Sequence, residues 1–192
     1  MTMVSGGGSS TSVVESPRRR FKPRDLSIII IFSALGGAVS VPLGYGGNML
    51  QSVPFLPFGS GQILSGLHVV WIVMAALMVK RRGIGTTTGI IKGLVELTLF
   101  SFHSFLVVPI SAFEGTLVDL SLAMLKKPSV LEICLTGGIS SAGNVLVLQV
   151  LLLPALPPAL IAYMYVVSFI SGFLFAGYIV DRVLKVTNIL RN

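Results

Sequence analysis

Lys92, Glu96, His103, Glu114 and Asp119 fall within a stretch, 83–125, that is otherwise apolar and long enough to cross a bilayer twice. An ionisable side chain near mid-bilayer costs about 2.5–3.5 kcal/mol on insertion scales. A chain that carries several must pair them, hide them inside a helical bundle or use them. Lys92 and Glu96 are four residues apart and share a helical face, and His103 follows on that face. The plain reading of Lys92 and Glu96 is an ion pair that neutralises itself. Glu114 and Asp119 then remain with no second intramembrane cation. Asp119 lies about 140° around its helix from Glu114 and nearer the basic loops, which favours a structural role. Glu96 and Glu114 together would suit a cationic ligand.

Other helices add polar groups at similar depth. His68 and Trp71 are three apart, so a flat aromatic ligand could stack beside the imidazole; a histidine hydrogen-bonded within the bundle is the plainer alternative. Asn144 shares a face with Ser140 and Ser141, equally suited to ligand contact and to helix–helix hydrogen bonds. Tyr163 and Tyr165 read as interfacial belt residues. The ligand-binding candidates are therefore Glu96, Glu114, His68, Trp71, Asn144 and Lys92.

The elements that must position these groups are membrane helices. The chain of 192 residues is 53% hydrophobic and 11% charged, with a mean hydropathy of +0.91; soluble domains are about 25% charged. Six apolar segments are expected as spans, at 25–43, 59–79, 84–103, 107–125, 130–153 and 159–184. The Gly- and Pro-rich stretch 44–60 reads as a long first connection, either a lid over the outer mouth or an interfacial segment. Every Lys and Arg except Lys92 lies in the first flank, the second and fourth connections or the C-terminal end. The positive-inside rule then gives an all-α integral membrane protein with six transmembrane helices and cytoplasmic N and C termini. Residues 1–24 read as a disordered basic tail, 25–185 as the membrane domain and 186–192 as a second cytoplasmic tail.

The net charge of +7 does not point to nucleic acid, because the basic residues sit in short clusters between apolar runs. A single cysteine, Cys134, leaves no intramolecular disulfide, and two distant histidines make a poor metal site. The sequence has no phosphate-binding loop, no H-E-x-x-H and no G-x-S-x-G, so an enzyme is not expected, nor a bound metal or cofactor. Small residues recur every four positions at Ser33 and Gly37, at Ala34 and Ala38, and at Ser168, Gly172 and Ala176. Such faces pack helices within a bundle, or dock a partner membrane protein.

The order of features resembles the substrate-binding S component of an energy-coupling factor (ECF) vitamin transporter. The stretch GSGQILSGLHVVWIVMAALMVKRRGIGTTTGIIKGLVEL, followed by SAFEGTLVDL, is similar to the YkoE type, linked with thiamine or its hydroxymethylpyrimidine precursor. The shared elements are the small-residue start of the second helix, the R-x-G-x-G turn, the K-G-L-x-E step from Lys92 to Glu96 and the E-G-x-x-x-D step from Glu114 to Asp119. The likeness spans residues 25–181. It implies capture of a small cationic aromatic vitamin from outside the cell, with transport driven by a membrane T component and cytoplasmic ATPase subunits. Ala34 and Ala38 would form the docking face, and the protein would be a multi-pass protein of the cell membrane. The long N-terminal tail departs from the pattern. A self-contained proton-coupled carrier or channel, and a scaffold whose charges only pair, stand as the alternatives.

Overall fold

A computed structural model describes residues 22–53, 60–99, 104–125, 128–151 and 156–187. Six helices alternate in direction: α1 (Pro23–Gln51), α2 (Ser65–Val79, entered through a tight helical turn at Ser60–Leu64), α3 (Ile84–Thr98), α4 (Val107–Ala123), α5 (Val130–Leu151) and α6 (Pro158–Val186). No strand occurs among the described residues. The expectations for the tail 1–21, for His103 and for the middle of the first connection, 54–59, lie outside the described residues.

α1 corrects the expected helix end at 43. It runs on through Pro42, Gly44, Gly46 and Gly47 to Gln51. Helix breakers lose their force where lipid offers backbone groups no other partner, so continuing the helix costs less than exposing N–H and C=O. Gly46 and Gly47 also let the extension lie close to the turn before α2. A Cβ at Gly47 would stand 3.7 Å from the Gly61 Cα, and one at Gly46 3.2 Å from Leu64 Cδ1.

Among the described residues, four helices are long and apolar enough to cross a membrane: those covering Pro23–Leu50, Gly61–Val79, Val130–Leu151 and Pro158–Val186. α3 and α4 are the exceptions, at 15 and 17 residues. At 1.5 Å per residue they span about 22–26 Å, less than the roughly 30 Å hydrocarbon core. They are also the helices that carry Lys92, Glu96, Glu114 and Asp119.

The apolar core sits at one end of the bundle. It joins Ile29 of α1, Ala75–Leu77 of α2, Ile84 of α3, Val118 of α4, Ile133 of α5 and Val180 and Leu184 of α6. The basic residues Arg24, Lys80, Arg81, Arg82, Arg182 and Lys185 lie at these same helix ends, and Arg81 Nη1 pairs with Asp25 at 2.8 Å. Of the buried charges, Lys92, Glu96 and Glu114 lie in the opposite half, while Asp181 stays at the core end, paired with Lys185 at 2.8 Å.

Small residues and serines hold the helices together. α6 changes to π-helical turns over Gly172–Ile179, where Gly172 and Gly137 of α5 meet backbone to backbone and Gly177 abuts Cys134. Ser65 of α2, Ser141 of α5 and Ser168 of α6 form a closed triangle of buried hydroxyls at 2.8–3.1 Å. The Ser168–Gly172–Ala176 stripe is thus an internal packing face.

Candidate functional site

The α3–α4 hairpin is built on glycine. Gly85, Gly89 and Gly93 recur every four residues along α3. A Cβ at Gly89 would overlap the Ser111 carbonyl oxygen, one at Gly85 would lie 2.6 Å from the Gly115 carbonyl oxygen, and one at Gly93 2.8 Å from the Val108 Cα. The two backbones are therefore in direct contact, which only glycine allows.

Asp119 ties the open end of this hairpin, opposite its turn. Its Oδ1 accepts the Gly85 N–H at 2.9 Å, and its Oδ2 accepts the Thr86 N–H and the Thr86 hydroxyl, both at 2.7 Å. A carboxylate from α4 thus caps the N-terminus of α3, where helix donors lack partners and the dipole favours negative charge. The structural role expected for Asp119 has this partner rather than the basic loops.

Close approach brings the polar groups together. Lys92 is 1% exposed; its Nζ donates to Glu96 Oε2 at 3.0 Å and to Ser111 Oγ at 3.3 Å. Glu114 is equally buried, and its Oε1 accepts from Asn144 Nδ2 at 3.1 Å, while the Ser140 hydroxyl donates to the Glu114 backbone carbonyl at 2.8 Å. The carboxylate can only accept, so the Asn144 amide nitrogen must face it. His68 Nδ1 stands 2.9 Å from Ser40 Oγ of α1.

These groups surround one cavity of about 60 Å³, lined by His68, Lys92, Glu96, Val107, Ile110, Ser111, Glu114, Asn144 and Leu148. Five of the six ligand-binding candidates line it. Trp71 does not. Its ring packs on Gly36, where a Cβ would sit 3.0 Å from the Trp71 Cβ, and tilts against Phe32 at 6.4 Å. The cavity holds two carboxylates and one ammonium, a formal charge of −1 with His68 neutral. It has room for a few waters, so a ring-sized ligand must part its walls. Among the described residues no group of three His, Cys, Asp or Glu is placed to hold a metal ion.

α1 presents two different faces. Ser33, Gly37 and Ser40 point inward; Ser33 Oγ donates to the Thr88 carbonyl at 3.0 Å, and a Cβ at Gly37 would meet Val95 Cγ1 at 2.6 Å. Ala34 and Ala38 are exposed, together with Leu26, Ile30, Ile31 and Leu35. Sequence reasoning misses Ser40, Ser111 and the α3 glycine stripe. The four-residue glycine spacing was a readable signal, whereas isolated serines carry none.

The model of a family described as "ABC-type cobalt transport system, permease component" matches residues 24–143, more than half of the chain, from the first turn of α1 into α5. A solved S-component of an ECF transporter superposes with a TM-score of 0.79 at 25% identity, over 89% of this chain and 89% of that one. No curated protein matches. A helical membrane bundle with a buried polar cavity is what a transport subunit requires, and the chain belongs to the family of ABC-type cobalt transport permease components, in the S-component class of ECF transporters.

Proposed function

We propose that the chain captures a small cationic aromatic vitamin or precursor, thiamine-like in chemistry, from outside the cell for an ATP-driven importer. The observation that carries this reading is the cavity's charge: Glu96 and Glu114 outnumber Lys92 in a buried setting, with His68 and Asn144 beside them. A desolvated carboxylate excess favours a cation, and flanking polar groups orient it. The likeness to a solved S-component supports partnership with a T component and ATPase subunits. The exposed Ala34 and Ala38 offer α1 a face where a partner helix could approach closely. Six spans with both termini cytoplasmic accord with the basic residues gathered at one end of the bundle. In this reading residues 1–24 and 186–192 are tails of a membrane domain at 25–185.

The family's description gives a second reading, a divalent metal ion as cargo. The donor set favours the organic cation, because Glu96 is already engaged by an ammonium. The test is equilibrium binding by the purified chain in detergent. The probes are thiamine, its hydroxymethylpyrimidine precursor, riboflavin, biotin, cobalamin and Co²⁺. Sub-micromolar binding of thiamine or the pyrimidine is expected, and at 100 times the dissociation constant it adds about 2.7 kcal/mol of stability. Binding of Co²⁺ alone would overturn the organic-cation reading.

A further inference from the structure

The cavity's hydrogen bonds leave one donor over. An ammonium carries three N–H groups. Glu96 Oε2 takes one from Lys92 and Ser111 Oγ takes another, and no further acceptor within hydrogen-bonding distance of Nζ is found among the described residues. Lys92 is the largest fully buried side chain among them, and it lines the cavity. Glu114 does not use the spare donor; its carboxylate accepts from Asn144 instead. Ammonium and carboxylate thus stand at one cavity from neighbouring helices, each bound to a different partner. An ion pair whose only task is to neutralise itself needs no frontage on a cavity.

We infer that Lys92 is a specificity-determining residue that donates to a hydrogen-bond acceptor on the ligand, such as a ring nitrogen or carbonyl, while Glu114 takes the ligand's cationic centre. The inference rests on the cation-site reading above and narrows it: the ligand is a dipolar heterocycle, not a cation of any kind. A cation without an acceptor would leave a charged N–H unmet inside a desolvated site. Sites built around such a donor reject analogues that lack its partner far more strongly than apolar pockets reject a change of shape.

The experiment compares thiamine with its benzyl analogue, in which a phenyl ring replaces the aminopyrimidine and the cationic thiazolium is kept. The wild-type protein should bind thiamine at least tenfold more tightly. In the double variant Lys92→Met with Glu96→Gln, the ammonium and its partner charge leave together, so the cavity keeps its formal charge of −1. In that variant the ratio of the two affinities should fall at least tenfold, thiamine losing more than the analogue does. An unaltered preference in a double variant that melts like the wild type would overturn the inference. A wild-type preference below threefold would do so without any variant, while leaving the cation site standing. Binding of neither probe to the wild-type protein would remove the cation site and this inference with it.

Discussion

Replacing Asp119 by Ala tests whether α3 is anchored by a carboxylate from the neighbouring helix. The change removes the acceptors for the Gly85 and Thr86 N–H groups and the Thr86 hydroxyl. A lost helix cap costs about 0.5–2 kcal/mol, and bonds to a charged acceptor about 1.5–3 kcal/mol each. The three bonds share one side chain at a half-buried position, so they do not add; a total of about 2 kcal/mol is the expected loss. For a chain of this length that lowers the melting temperature by about 4–8 °C. The assay is thermal unfolding in detergent with a fluorogenic maleimide, reading the lone Cys134, 2% exposed in the fold. Asp119→Asn should recover less than half of the loss, because its amide sets an N–H against an N–H. Thiamine affinity should stay within about threefold, since Asp119 does not line the cavity. A melting temperature within about 1 °C of the wild type would refute the capping argument.

Gly89→Ala drives a methyl group into the Ser111 carbonyl; it should cost about 1–3 kcal/mol or more and weaken ligand binding as well, because Ser111 and Glu114 ride on the displaced helix. Its control, Gly44→Ala, has nothing within 4 Å of the added Cβ, and should melt at or above the wild-type temperature, as glycine inside a helix costs about 0.5–1 kcal/mol relative to alanine. Ala38→Trp bulks up an exposed face of α1; ligand affinity should be unchanged, while ATP-driven uptake by the assembled transporter in liposomes falls at least tenfold. Normal uptake by that variant would take the docking surface away from Ala38.

Much of this arrangement was legible in the sequence, for identifiable reasons. Charges inside apolar runs must find partners, so Lys92 with Glu96 could be read from their four-residue spacing, and the ion pair is there. Helix positions followed from apolar length and basic clusters, because lipid imposes both. Glu114, Asn144 and His68 could be placed at one depth by counting residues from the helix ends, and they meet at one cavity. The rotation of a helix about its own axis is harder to read. Trp71 lies one turn from His68, yet turns toward Gly36 and Phe32, because glycine on α1 opens a seat for its ring. The extension of α1 past Leu43 was hidden for a related reason: breaker residues carry their usual meaning in water, not where the helix has no competitor for its hydrogen bonds. Asp119 showed its structural character through its place on the helix, but the donors it meets sit 33 and 34 residues away in sequence.

The central claim is that a buried carboxylate in this cavity holds a cationic ligand, and the most direct measurement is thiamine binding by Glu114→Gln beside the wild type. The substitution keeps the shape of the side chain and an acceptor oxygen for Asn144, and removes only the charge. The account predicts at least a tenfold loss of affinity, about 1.4 kcal/mol or more, from a protein that melts within a few degrees of the wild type. Unchanged affinity in a folded variant would contradict it and would take Glu114 out of the site.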